Sequence, residues 1–269
     1  MPQTPDALLR EVAAILDGGT VDVGPREAEW LIEAAGSDDE ARAFARRRAA
    51  GEPFQYIVGR AAFRHIELAV GPGVLVPRPD TEVLVDRVLA RLPDGGTVLD
   101  VGTGSGAIAL AIKHERGDAR VIASDVDDKA IEWCELNARS LGLEIDVHRS
   151  DLFDGLPPSL QEAFDVIVSN PPYVASDAAN SLPVDVVEHE PHVALFAGED
   201  GLATIRVLVS EAPGWLRHGG WLVMEIGETQ GASVRQLLTD GGFADVAVHP
   251  DMAGRDRIAE GRVAMSDTA

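Results

Sequence analysis

The chain has a single cysteine, Cys134, in 269 residues. That excludes an internal disulfide and fits a reducing compartment. Lysine is almost as scarce. Of 23 Lys and Arg residues only Lys113 and Lys129 are lysines, which leaves 21 arginines; genome composition and salt adaptation explain that skew equally well. Positive charge is in deficit overall, with 45 Asp and Glu and a formal net charge of −22. Such a balance weighs against affinity built on a phosphate backbone, although a local basic patch is compatible with it. Long hydrophobic runs are missing too. The longest uncharged stretch, Val101 to Ile112, contains three glycines. It falls short of the ~20 apolar residues a membrane helix needs and reads as a loop entering a helix. Met1 to Val12 has no basic segment ahead of an apolar core, so no secretory leader is expected. These absences predict a cytoplasmic protein with no membrane association and no direct nucleic-acid partner.

What is present suffices for a sizeable core. The hydrophobic fraction is 45%, ordinary for a globular protein, and the length suits about two domains. Leu8, Leu9, Val12, Ile15 and Leu16 form one helical stripe; Ala28, Leu31, Ile32 and Ala35 form another. A third helix is expected from Asp38 to Ala50, ended by Gly51 with Pro53 beyond. Residues 1–55 therefore read as a small helical domain. Residues 56–78 read as a β-hairpin linker: Phe63 to Val70 is strand-like, and Gly71-Pro72-Gly73 is a turn ahead of Val74-Leu75-Val76. Asp80 is expected to cap a helix whose buried face is Val85, Val88, Leu89 and Leu92.

From Thr97 the pattern alternates strand and helix. The strands are short apolar runs at 98–99, 121–123, 166–168 and 221–226, suited to a parallel sheet covered on both faces. Helices are expected at 105–116, 127–141 and 201–217. An open α/β sheet follows, with ligands at the carboxyl ends of its strands. Residues 79–269 form this second domain.

The run Val98 to Ala107 is a strand entering a glycine-rich turn and then a helix. Gly102, Gly104 and Gly106, with Thr103 and Ser105 between them, let the backbone approach a ligand closely. Nineteen residues after Gly106 a strand ends in Asp125, whose carboxylate can accept from both hydroxyls of a ribose. The loop also satisfies a dinucleotide fingerprint, and a glycine turn with no ligand is the bland alternative. Two features favour S-adenosylmethionine. Asp100, two residues before the first glycine, suits a cationic amino group. Asp151, followed by Leu152-Phe153, can bind an adenine amino group and cover the ring.

Val166 to Ser169 leads directly into Asn170-Pro171-Pro172-Tyr173. An amide nitrogen is a poor nucleophile because its lone pair is delocalised. If the Asn170 side-chain oxygen and the Pro171 carbonyl each accept one N–H, the nitrogen is held with its lone pair facing a methyl donor. The prolines fix the carbonyl direction because their φ is locked, and Tyr173 can pack against the flat amide. Catalysis then comes mainly from positioning. Asn-Pro-Pro as a plain turn is the competing reading, weakened by its place at a strand end beyond a glycine loop.

Other features carry less. Arg42, Arg46, Arg47 and Arg48 cluster near a helix end, where they read as a solvated face complementing the dipole ahead of a dock for an acidic partner. His189 and His192 flank Pro191, which breaks helical spacing, so no metal is expected. Cys134 shares a helix face with Ile131, Ala138 and Leu141 and reads as core.

With these residues in hand, the chain resembles the release-factor glutamine methyltransferase family from about residue 7 to 263. The likeness runs through Gly51 to Ile57, Pro72 to Glu82, Asp100 to Ala107, Asn170 to Tyr173, Glu190-Pro191, Gly198 to Leu202 and Gly254 to Arg257. It implies a seven-stranded, Rossmann-like class I methyltransferase sheet after a helical substrate-recognition domain. It also implies S-adenosylmethionine as cofactor and the Gly-Gly-Gln glutamine of a peptide-chain release factor as substrate. Cofactor contacts are implied at Gly102 to Gly106, Asp125, Leu152 and Asn170, and substrate contacts at Asn170, Pro171, Pro172 and Tyr173. A monomer is expected. The competing functions are a ribosomal-protein glutamine methyltransferase, a nucleic-acid adenine amino-methyltransferase and a non-catalytic dinucleotide-binding module.

Overall fold

The computed structural model describes residues 5–265, apart from 22, 25, 182 and 252. The first four residues of the stretch read for a leader lie outside the described residues. Three helices open the chain: α1 (Pro5–Asp17), α2 (Glu27–Ala34) and α3 (Asp38–Ala49). Their apolar stripes close on one another. Leu8, Val12 and Leu16 meet Ala28, Leu31, Ala41 and Ala45 in a cluster that also takes in Ile57 from the short α4 (Phe54–Val58). Ser37 caps α3, its Oγ accepting the Glu40 N–H at 3.2 Å. The arginine cluster is less free than its composition suggested. Arg42 pairs with Glu11 at 3.0 Å, Arg47 with Glu52, and the buried Arg48 with Glu27 and with Asp185. Three of the four thus tie α3 to acids on other segments.

The hairpin is β1 (Arg60–Phe63) paired with β2 (Ile66–Ala69), Phe63 facing Ile66. The continuous strand expected from Phe63 to Val70 is therefore broken at Arg64, and Val74 to Val76 is not a strand. Arg64 sits at φ 50°. Its N–H donates to the Glu82 carboxylate at 3.1 Å, and its guanidinium to Glu115 and Asp86 at 2.5 and 2.8 Å. Tertiary bonds hold a left-handed residue that no local turn signal announces. Asp80 also departs from expectation. Helix α5 (Glu82–Arg91) begins after Thr81 with no side-chain cap, because Asp80 is drawn toward Arg255 and Arg257 at 3.6 and 3.7 Å.

The remaining elements are β3 (Thr97–Val101), α6 (Ala107–Glu115), β4 (Arg120–Asp125), α7 (Asp128–Leu141), β5 (Asp146–Arg149), β6 (Phe164–Ser169), α8 (Val184–His189), α9 (Ala203–Glu211), β7 (Leu216–Glu225), α10 (Gly231–Asp240), β8 (Ala244–Pro250) and β9 (Asp256–Arg262). The helix expected to run to 217 ends at Glu211, because Pro213-Gly214 breaks it and Leu216 already pairs with Phe164 in the sheet. Seven strands lie in the order β5-β4-β3-β6-β7-β9-β8, with β9 antiparallel to both its neighbours.

Each strand divides its side chains between two cores. Val98, Val121, Val166 and Val223 face the layer that holds α5, α6 and the hairpin. Leu99, Ile122, Ile167 and Leu222 face the layer of α9 and α10. Burial on both faces explains why these strands are unbroken apolar runs. The chain winds outward from β3 to β5, then returns to β6 on the other side of β3. That reversal opens a crevice at the carboxyl ends of β3 and β6. Among the described residues no helix is long and apolar enough to cross a membrane.

Candidate active site

The crevice holds a cavity of about 290 Å³. Gly102, Thr103, Gly104 and Ser105 line it from the end of β3, Asp125 from β4, Asp151 and Leu152 from beyond β5, and Asn170, Pro171 and Pro172 from β6. Residues separated by up to 70 positions are brought to one wall because each follows a strand that ends on the same edge.

The glycine loop is built for close approach. Gly102 and Gly104 adopt φ of 73° and 56°, with open space where a Cβ would project. Gly106 differs and does not line the cavity. At φ 85° it packs α6 on α7, and a Cβ there would lie 2.9 Å from both Cys134 Sγ and Leu110 Cδ1. Asp125 braces the loop. Its Oδ2 accepts the Gly104 N–H at 2.9 Å and its Oδ1 the Asp127 N–H at 3.0 Å. Burial raises its carboxyl above the ordinary range, against the pull of these bonds.

Asp100, expected to meet a cationic amino group, is not on the cavity wall. Strand alternation turns it to the α6 side, with Val98. There it is fully buried, and its Oδ2 accepts from Thr103 Oγ1 at 2.7 Å and from the Ala109 N–H at 3.2 Å. Its Oδ1 has no partner. Burial lifts this carboxyl to about 7. Phe153 also turns inward, stacked on Trp215 at 5.7 Å, so Leu152 alone of that pair reaches the cavity. Leu152 sits at φ 49°, a conformation a leucine adopts only when its surroundings impose it.

Tyr173, expected against a substrate amide, does not line the cavity either. Its hydroxyl donates to Glu225 Oε1 at 3.3 Å, and burial, then Glu225, push it up to about 12. The aromatic side chain on the wall is Phe196, beside Val193 and Ala194. The adjoining segments are clamped by Arg78, whose Nη2 donates to both Glu190 oxygens at 2.8 and 2.7 Å.

Thr81, Phe196, Glu225 and the Arg78–Glu190 pair were not singled out for chemistry from sequence. Glu225 had a usable signal: it is a lone acid inside the apolar run Trp221 to Ile226, at the strand's carboxyl end. Among the described residues no group of three or more His, Cys, Asp or Glu side chains is arranged to hold a metal ion.

Strand order, reversal point and glycine loop are those of a Rossmann-like nucleotide-binding sheet, and the family match makes the protein a methyltransferase. The methyltransferase small domain family matches residues 78–246. A release factor glutamine methyltransferase from Neisseria gonorrhoeae is 45% identical over 218 residues, covering 81% of this chain and 79% of that protein. One from Geobacter sulfurreducens is 37% identical over 255 residues, covering 88% and 89%. A methyltransferase from Pyrococcus furiosus, 18% identical, superposes with a TM-score of 0.56 over 85% of this chain and 100% of that one; this likeness concerns the fold alone. The chain belongs to the release factor glutamine methyltransferase family.

Proposed function

We propose that this protein methylates the side-chain amide nitrogen of the glutamine in the Gly-Gly-Gln motif of a peptide-chain release factor, using S-adenosylmethionine in the cytoplasm. The relatives' names support the substrate class. One observation carries the chemistry: Asn170, Pro171 and Pro172 share a cavity wall with the glycine loop and Asp125.

The wall suits the cofactor. Gly102 and Gly104 leave room where side chains would otherwise project, and each Asp125 oxygen, already accepting one N–H, keeps a lone pair for a ribose hydroxyl. Asp151 and Leu152 border the space for an adenine. When bound, S-adenosylmethionine supplies a methyl group on a good sulfonium leaving group. The chain's own residues supply position. Asn170 Oδ1 and the Pro171 carbonyl accept the two N–H bonds of the substrate amide, and the constrained Pro171-Pro172 backbone keeps those acceptors in place. As the N–CH₃ bond forms, the S–CH₃ bond would break to leave the neutral thioether S-adenosylhomocysteine. The methylated, more acidic nitrogen would release one proton to solvent, so no strong base is required. The helices of residues 1–55 serve to dock the body of the release factor, since the loop itself needs only a glutamine.

Incubating the protein with S-adenosylmethionine and a purified release factor, then mapping methylation by mass spectrometry, tests this. One methyl on the Gly-Gly-Gln glutamine, appearing more slowly with Asn170→Ala, is expected. Calorimetry is expected to detect S-adenosylmethionine and not NAD. Methylation confined to nucleic-acid adenine, or to a ribosomal protein, would replace the substrate assignment.

A further inference from the structure

Asn170 can act as a clamp only if the correct end of its carboxamide faces the substrate. An amide that points its NH₂ at another N–H repels it. The oxygen and nitrogen ends are nearly the same size, so shape alone does not choose between them. Something must set the orientation, and the surrounding hydrogen bonds contain a device that does.

Glu225 ends β7 with 2% of its surface exposed, and Thr81, just ahead of α5, has 4%. Glu225 Oε2 accepts the Thr81 hydroxyl at 2.7 Å, while Oε1 accepts from Tyr173. A hydroxyl has one proton. Thr81 gives its one proton to Glu225, whose other oxygen accepts from Tyr173, so only a lone pair of the Thr81 oxygen is left to face Asn170. The Asn170 Nδ2 donates to that lone pair at 3.3 Å. The carboxamide is thereby fixed with its NH₂ engaged by Thr81, which leaves Oδ1 as the end free to accept; both residues line the cavity.

We propose that Thr81 and Glu225 are positioning residues that set the orientation of the Asn170 amide and so make it an acceptor for the substrate N–H. The polarity of this relay begins at Glu225 and passes through a single hydroxyl. It explains why an acid is retained inside an otherwise apolar strand end, and why a threonine is buried between two catalytic segments. Tyr173, bonded to the other carboxylate oxygen, acts on the same relay from behind. The inference rests on the amide-methylating role proposed for Asn170.

Two measurements separate the relay from that role. The first is kinetic and compares Thr81→Ser with Thr81→Val. Serine keeps the hydroxyl and loses a methyl; valine keeps the shape and loses the hydroxyl. The relay predicts that Thr81→Val lowers kcat by about 10-fold or more, with cofactor affinity unchanged, whereas Thr81→Ser stays within about 3-fold of the parent. A purely structural threonine predicts the reverse, and that result would overturn the proposal. Glu225→Gln, which can present either end of its own amide to Thr81, is expected to fall between the parent and Thr81→Val.

The second measurement needs no activity. The chain has three asparagines, at 137, 170 and 180, so ¹⁵N-asparagine labelling yields few side-chain NH₂ signals. The Asn170 pair is expected to show a nuclear Overhauser contact to the Thr81 methyl in the parent. In Glu225→Gln that contact weakens and a second Asn170 signal appears. An Asn170 NH₂ with no contact to Thr81 in the parent rejects the relay even if release factor is methylated. A parent that shows the contact but methylates no release factor rejects the proposed substrate and leaves the orienting relay standing.

Discussion

Asp125 Oδ2 accepts the backbone N–H of Gly104 at 2.9 Å across 21 residues, so the acid at the end of β4 is physically part of the loop at the end of β3. A ligand held by that loop and by Asp125 meets a single braced unit rather than two independent groups. Bracing of this kind lowers the ordering cost of binding.

Asp125→Ala should therefore weaken S-adenosylmethionine binding by about 1.5–3 kcal/mol, the range for a hydrogen bond to a charged group. Loss of the brace on Gly104 pushes the effect toward the upper end. Titration calorimetry on parent and variant measures it, and equal affinities would remove Asp125 from the cofactor site.

Asn170→Ala removes the acceptor and leaves a substrate N–H unpaired, at a cost of at least about 1–3 kcal/mol in kcat/KM on release factor. Asn170 follows β6 and is not in its buried core, so the thermal midpoint should stay close to the parent's. A variant that methylates at the parental rate would show that the tetrapeptide is not the clamp.

How much of this could be read from the sequence differs by residue. The glycine loop, Asp125 and Asn170 are each local: a strand, its end and the residues that follow are contiguous, and hydrophobic periodicity locates the strand. The helices of the first fifty residues were equally plain. What escaped depended on partners far along the chain. Asp80 looks like a cap until Arg255 and Arg257 arrive, and Arg64 makes a turn only because Glu82, Asp86 and Glu115 hold it. Strand alternation could have flagged Asp100, since Val98 and Asp100 must point the same way while Leu99 and Val101 point the other. Tyr173 could not be assigned, because its partner Glu225 lies 52 residues on.

Asp100 yields a prediction with a definite sign. Its folded carboxyl titrates at about 7, raised by burial, against ~3.9 in an unfolded chain. Between these values the native state holds a proton that the unfolded state has lost, so this group makes stability fall as pH rises from about 4 to about 7. Asn is close in shape to the neutral acid. Asp100→Asn should match the parent below about pH 4 and become progressively the more stable of the two up to about pH 7 and beyond, read from urea midpoints at pH 4 and pH 8. Parallel pH profiles would contradict the buried, partly unpaired placement of Asp100. Asp125, Glu190 and Glu225 shift in the same direction, so the variant should reduce the slope without abolishing it.

Glu260 on β9 has the opposite sign. Its side chain is fully buried, and its Oε1 accepts from Arg87 and Arg91 at 2.6 Å each and lies 2.9 Å from His249 Nε2. Burial alone would raise this carboxyl. The bonds from Arg91, Arg87 and His249 overcome it and hold the group down to about 2. An unfolded glutamate titrates at ~4.3. The folded state thus keeps a charge that the unfolded state loses on acidification, and the stabilisation is complete above about 4.3 and lost as pH falls through about 2. Glu260→Gln strips the charge while leaving two guanidiniums facing each other, one of them stacked on Trp221 at 3.9 Å. Breaking a buried pair in this way costs about 3–5 kcal/mol, and the partial exposure of both arginines argues for the lower end. The loss should be large at pH 7 and shrink steadily below pH 4, as the parent's own carboxylate begins to protonate. Glu260 does not line the cavity, so cofactor affinity should be unchanged wherever the variant is folded. Urea unfolding at pH 7 and pH 3 measures both limits, and a destabilisation independent of pH would mean that Glu260 acts through packing rather than through charge.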